Sequence, residues 1–380
     1  MDFKFWLKFP GNLFIVFLLK ATVSTAQLYN AHGTIRIMNG SSVVCMGNFT
    51  NVSGTITNDG KLEVKGNFSN KNIYNSIAKE DSLSLTGDGS VTLYSGSAIL
   101  NNLLVSKTNG GGVTLTANAT IGKNFDLHAG NFSTDPQKPF ELAAPASAGF
   151  TFGTGTQVTG KVRRTNWVNG TAVVFHQPDM RVTTAGGIAP ANLLINMLPD
   201  SDPASSGPQV KRYFYFSPVG GNNYTADITF PYSPEELNSN NEANLIAWYN
   251  DPLNNWSQKL TGNTINTESH YLVSAGIKAG ILANREWKLA EMEYDSKNPN
   301  LFVYPIPAKN TMNVLLTADK NKKATLQLSD ISGKVCRILQ KDIQKGVNKL
   351  SLNITQLSAG QYVLKVKEDN VIQTKVVLID

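Results

Sequence analysis

The sequence predicts an all-β protein in three successive parts: an N-terminal β-helix or related solenoid, a middle β-sandwich of immunoglobulin-like type, and a small C-terminal β-sandwich. Three observations carry this. Short runs alternate apolar and polar side chains with the period of a half-buried strand, and no comparable stretch has helical periodicity. A Gly/Asn-rich region repeats itself. Clusters of Gly, Pro, Asn and Ser divide the later strands. A length of 380 residues is ample for two or three domains.

Residues 1–26 read as an export signal. Lys4 and Lys8 supply a basic start, Leu13 to Leu19 an apolar centre, and Ser24-Thr25-Ala26 the small residues a signal peptidase needs, so the mature chain is expected to begin at Gln27. The apolar run is seven residues long, whereas a membrane-spanning helix needs about 20. No later segment is long or apolar enough, so no transmembrane segment is expected. Cys45 lies too far from the cut for a lipidated first residue.

The region 27–198 carries the repeat. GTIRIMNGSSVVCMGNFTN begins at Gly33 and GTITNDGKLEVKGNFSN at Gly54, each ending in Gly-Asn-Phe-x-Asn; GKNFDLHAGNFST from Gly122 places Phe125 and Phe132 in equivalent positions. Strands this short cannot bury a face alone, but stacked coils of about 20 residues merge their inward side chains into one core. An open sandwich is the alternative. Asn48, Asn67, Asn124 and Asn131 are expected to serve as turn residues and to stack their amides between coils, rather than to form a ligand-facing stripe.

A Pro/Ser/Asp-rich connector, 199–209, precedes longer alternating strands over 210–290. The aromatics Tyr213, Tyr215, Trp248, Trp256 and Trp287 suit a sandwich core or, alternatively, sugar stacking. Asn250, Asp251 and Asn254 form only a sparse calcium loop with a single carboxylate. Residues 291–298 read as a polar linker.

The last part, 299–380, has local text with a physical meaning. Tyr304, Pro305 and Pro307 fix the entry, Asp330-Ile331-Ser332-Gly333-Lys334 makes a hairpin turn, and Leu357-Ser358-Ala359-Gly360-Gln361-Tyr362 another, with Leu364 in the strand that follows. These three ordered motifs, Tyr-Pro-x-Pro, Asp-x-x-Gly-Lys and Leu-x-x-Gly-x-Tyr-x-Leu-x-Val, resemble the type A C-terminal sorting domain of type IX secretion cargo in Bacteroidota. Ile306 stands where Asn is usual, and the chain ends in Val-Leu-Ile-Asp where a basic tail is usual. The resemblance implies that the type IX translocon handles the chain, and that Gly333, Gly360, Tyr362 and Leu364 shape the sorting surface. It also implies delivery to the cell surface or medium, with release or attachment to surface lipopolysaccharide; extracellular polysaccharide is an alternative expected partner.

Charge and chemistry narrow the function. The net charge of +6 divides into +2 for residues 1–26 and +6 for 299–380, which leaves −2 for the centre and no basic stripe for nucleic acid. Cys45 and Cys336 lie in different parts, so no structural disulfide is expected. His32, His128, His176 and His270 lack metal-ligand spacing, and no nucleophile elbow or phosphate loop is present. No catalytic residue, metal or cofactor is therefore expected. The reading is an exported, non-catalytic structural or adhesive protein. The alternatives are a carbohydrate-binding module using Trp248, Tyr249 or Trp256, and a β-helix polysaccharide lyase or hydrolase drawing on Asp59, Asp81, Asp88, Asp126 or Asp135. The strands are too short for an outer-membrane barrel.

Overall fold

The computed structural model describes residues 26–76, 81–134, 138, 140–199, 209–238, 240–250, 256–259, 262–291, 302–304, 308–318, 320–369 and 371–379. The export signal lies outside them apart from Ala26, as do most of both linkers, Pro305, Pro307, Asp135, Asp251 and Asn254. The chain divides into two compact units, Met1–Ala290 and Glu291–Asp380. Nearly all regular structure is strand, and the N-terminal region is a β-solenoid of about six turns.

Each coil contributes to three parallel faces. On the first, Leu28–Asn30, Phe49–Asn51, Phe68–Asn70, Val91–Tyr94, Gly112–Leu115 and Asn131–Ser133 pair in succession. The second begins with Thr34–Ile37, Thr55–Asn58 and Ile73–Ser76. The third runs from Ser42–Cys45 through Lys61–Val64 and Ser82–Asp88 to Gly149–Phe152. The long strands Ile99–Thr108 and Ala119–Ala129 serve both of these faces.

In-register stacking explains the repeat. The Gly-Asn-Phe-x-Asn phenylalanines lie over one another, with Phe49 and Phe68 ring centroids 5.3 Å apart and the rings nearly parallel, and both are buried. Removing such a side chain from water contributes about 1.5–3 kcal/mol. The last Asn of each motif turns inward as well. Asn30 Nδ2 donates to Asn51 Oδ1 at 3.0 Å, and Asn51 Nδ2 donates to Asn70 Oδ1 at 2.7 Å. Gly54, which opens the second repeat, is required by this ladder: a Cβ there would stand 2.1 Å from Asn30 Nδ2.

Of the four asparagines expected at turns, Asn48 and Asn67 stand just before strands and bridge coils, whereas Asn124 and Asn131 lie within strands, Asn124 donating to Asn102 Oδ1 of the neighbouring coil at 2.7 Å. Asn48 Oδ1 accepts from the Asn67 amide, and Asn67 Oδ1 from the Thr92 amide. Left-handed backbone falls elsewhere, at Asn109, Asn166, Asn223, Asn238 and Asn284.

The solenoid passes into the sandwich without a break. Val158–Thr165 pairs in parallel with the last coil on one side and antiparallel with Asn192–Pro199 on the other. That sheet continues through Gln209–Val219, Arg285–Glu291, Leu245–Asn250 and Trp256–Lys259. A second antiparallel sheet holds Val173–Val174, Arg181–Ala185, Thr225–Pro231, Tyr271–Lys278 and Asn263–Asn266. The sandwich therefore draws in strands from before residue 198, where the sequence places the end of the solenoid-like region, and one core runs from Ile37 to Leu289. The physical reason is that the exposed edge of the last coil offers unpaired backbone groups, and antiparallel strands satisfy them as well as another coil would. Phe214, Phe216, Phe230 and Trp287 fill the space between the sheets, with centroids 5.1–6.3 Å apart.

Candidate functional site: the C-terminal sandwich

The C-terminal unit has its own core, including Val314, Leu326, Leu328, Leu364, Val366 and Ile379. One sheet pairs Phe302–Tyr304, Thr311–Ala318 and Gly346–Asn353; the other orders Val335–Ile343, Lys322–Asp330, Gly360–Glu368 and Val371–Ile379. Both have the period-two pattern read from the sequence.

The Asp-x-x-Gly-Lys motif builds the turn between Lys322–Asp330 and Val335–Ile343. The Asp330 carboxylate accepts from the Ser332 amide at 2.9 Å, the Ser332 hydroxyl at 2.6 Å and the Lys334 amide at 3.0 Å. Those bonds, the Ser332 hydroxyl first, hold its pKa below the ordinary aspartate value. Gly333 has φ +87°, and the space a Cβ would take there is open, so its requirement is conformational alone. Gly333→Ala is expected to lower the unfolding free energy of this unit by about 1–2 kcal/mol, read as the urea midpoint of its far-UV transition in the full chain, while Gly333→Asn costs less than half as much.

The second motif also builds structure. Leu357 packs on the core and Leu364 is fully buried. Gly360 adopts φ +152°, and the buried Tyr362 donates its hydroxyl to the Ser358 carbonyl at 2.8 Å. The ring thus closes the corner entering its own strand. Tyr304 lies in the first strand, opposite Asn313. Beyond the entry motif, Ala308 makes a parallel bridge to Ile379, its amide donating to the Leu378 carbonyl at 2.9 Å.

The Asp-x-x-Gly-Lys and Leu-x-x-Gly-x-Tyr motifs therefore meet in adjacent strands: Asp330 pairs with Tyr362, and Tyr362 with Val377. Sequence reasoning missed Arg337. It donates to the carbonyls of Asn353 at 3.3 Å and Thr355 at 2.8 Å, tying the hairpin to the loop before Leu357. An isolated arginine in a strand carries no local signal of this role.

Of the residues weighed for chemistry in the N-terminal unit, Asp59, Asp81, Asp88, His32, His176 and His270 have side-chain bonds within that unit. Asp59 pairs with Arg36 at 3.3 Å. Asp81 is buried against Ser76 and Asn101, and Asp88 accepts from the Thr108 hydroxyl. Asp126 has Leu104 and Thr151 as its neighbours in adjacent coils. His32 contacts the Ser53 hydroxyl at 3.0 Å, His176 contacts the Gly160 carbonyl at 2.9 Å, and His270 pairs with Glu242 at 2.8 Å.

Of the aromatic candidates, Trp287 is fully buried and Trp248 is 7% exposed, its indole donating to the Ala290 carbonyl. Tyr249 packs on Trp287, and the Trp256 side chain lies outside the described residues. Among the described residues no three His, Cys, Asp or Glu side chains group as metal ligands, both cysteines are free, and no helix is long and apolar enough to cross a membrane.

Comparison with known proteins places the motifs in a family. Residues 302–380 match the family model described as the secretion system C-terminal sorting domain. No curated protein matches the chain. The matched span coincides with the independently packed unit that Asp330, Gly333, Gly360 and Tyr362 shape, and the C-terminal unit of this chain is a type IX secretion sorting domain that directs export to the cell surface or the medium.

Proposed function

We propose that the exported passenger, the solenoid with its sandwich, is a non-catalytic structural or adhesive protein. The observation that carries this reading is the use of the solenoid's polar groups within the solenoid. The Asn30–Asn51–Asn70 ladder is buried, and Asp59, Asp81 and Asp88 bond to side chains of the same unit. A continuous hydrogen-bonded stack is stiff, and it sets its outward side chains at the roughly 4.8 Å interstrand spacing, which suits a spacer or a repeating contact surface. Lipopolysaccharide at the cell surface, or extracellular polysaccharide, is the partner class this role implies.

The reading is tested in the native host by comparing parent cells, cells lacking this chain and complemented cells for attachment under flow. The purified mature chain is assayed in parallel for release of reducing ends or unsaturated uronates from polysaccharides. Attachment is expected to fall at least threefold without the chain and return on complementation, with no sugar released. Sugar release by the purified chain would replace the proposal with the lyase or hydrolase reading. Unchanged attachment would remove the adhesive role.

A further inference from the structure

The residues that define the sorting motifs are occupied in holding the domain together. The Asp330 carboxylate is taken up by its own turn, the Tyr362 hydroxyl by Ser358, and Leu364 by the core. A protein that reads this domain must therefore touch what these residues position. The strand period names those side chains: Val363 and Lys365 alternate with Tyr362, Leu364 and Val366, and so face outward.

Register extends that outward face across all four strands. Ser329 pairs with both Val335 and Val363, and Val363 pairs with Val376, giving one row; Gln361 pairs with Leu378 and Gln327 with Ile338 in the adjoining rows. Val376 is 62% and Ile338 61% exposed, with Val335 and Leu378 also open. Apolar surface is thus open on both edge strands of one face, with Val363 between them in the Val335–Val376 row, and such surface is available to a partner. On the same face stand the exposed Lys365, which shares the Ile338 row through Gln327, and Lys367, one row further on, in a domain whose twelve basic and six acidic residues give it +6.

We propose that this outer face, which carries Val335 and Ile338 on one edge strand, Val376 and Leu378 on the other, and Lys365 and Lys367 on the strand beside the latter, is the surface that docks on a protein of the type IX translocon. The side-chain pattern specifies the partner surface: apolar contacts with carboxylates set between them, complementary to the lysines. The motif turns act from behind this face, by fixing the hairpin that carries Val335 and Ile338 and the strand that carries Lys365. The inference rests on the sorting-domain assignment and is independent of what the passenger does.

The test uses the full chain in the native host. Ile338→Asp with Val376→Asp, and separately Lys365→Glu with Lys367→Glu, are compared with the parent and with Lys309→Glu, an exposed lysine outside these strands. The surface and medium fractions are measured against the periplasmic fraction, and the urea midpoint of each purified full chain is recorded. Both double variants are expected to lose at least tenfold in export and to accumulate in the periplasm at parental stability, with Lys309→Glu exported normally. Normal export of either double variant overturns the proposal, as does an equal loss with Lys309→Glu. If the apolar double variant is exported normally but loses binding to lipopolysaccharide vesicles, the face serves the membrane surface and the proposal fails. The parent is also followed in cells lacking the translocon: export there would overturn the sorting assignment itself, and the docking face with it.

Discussion

Asn51→Ala is expected to lower the stability of the N-terminal unit by about 2–5 kcal/mol, a large effect for one polar side chain. Asn51 is fully buried. Its Nδ2 donates to the Gly54 carbonyl at 3.0 Å and to Asn70 Oδ1 at 2.7 Å, while its Oδ1 accepts from Asn30 at 3.0 Å. Alanine removes these bonds and strands the Asn70 oxygen between coils, and a buried polar atom without a partner costs about 1–3 kcal/mol. Neighbouring coils share the damage, because each amide in the ladder both gives and receives. The measurement is urea unfolding followed by tryptophan fluorescence. Every tryptophan after the signal lies in this unit, at positions 167, 248, 256 and 287, so the C-terminal unit does not contribute. Asn75→Ala, at an exposed position one coil on, is expected to stay within about 0.5 kcal/mol of the parent. A loss at Asn51 no larger than that would mean the ladder adds nothing to stability.

The second large effect is a loss of stability in acid that traces to one histidine. His176 has no exposed surface and lies against the Gly160 carbonyl at 2.9 Å; that contact assigns the ring proton to Nε2. Burial pushes its pKa down to about 3, the Gly160 bond opposes the shift, and Arg212 adds to it. The folded state therefore keeps the ring neutral where the unfolded chain, with an ordinary value near 6.5, binds a proton. This contribution is fully present above about pH 6.5 and is lost as the pH falls from there toward 3. The slope is about 1.4 kcal/mol per pH unit, or roughly 4–5 kcal/mol across the window. Between pH 7.5 and 4.5 the parent is expected to lose about 3 kcal/mol more than His176→Gln, in which the amide can still donate to the Gly160 carbonyl. Taking the difference between the two proteins cancels the titration of the carboxylates they share. Parallel stability curves would place the acid sensitivity elsewhere.

Much of the architecture is legible because its signals are local. A period-two alternation names the buried side chains of a strand before its neighbour is known. Asp330 and Gly333 specify a turn within five residues, since the bonds they make are to backbone inside that span. The Gly-Asn-Phe-x-Asn repeat likewise announces stacked coils, because the same residue must meet the same environment at each level. The sorting motifs are readable for the same reason: they are turns and strand alternations.

The sequence by itself determined that the chain is built of strands, that its first part stacks, and that its last 80 or so residues are a separate sorting unit. Only the tertiary structure decided which asparagine of each motif is buried, where the solenoid becomes a sandwich, and that Val376 and Ile338 share an open face. Those features depend on which strand lies beside which. Asn48 and Asn51 are both plausible stacking residues in the sequence; the pleat sends Asn51 inward and leaves Asn48 capping the next coil's amide. The switch at Val158–Thr165 has no local mark, because the strand pairs in parallel on one edge and antiparallel on the other. Local alternation dictates which side chains share a side of a strand, whereas pairing between distant strands decides what each side meets.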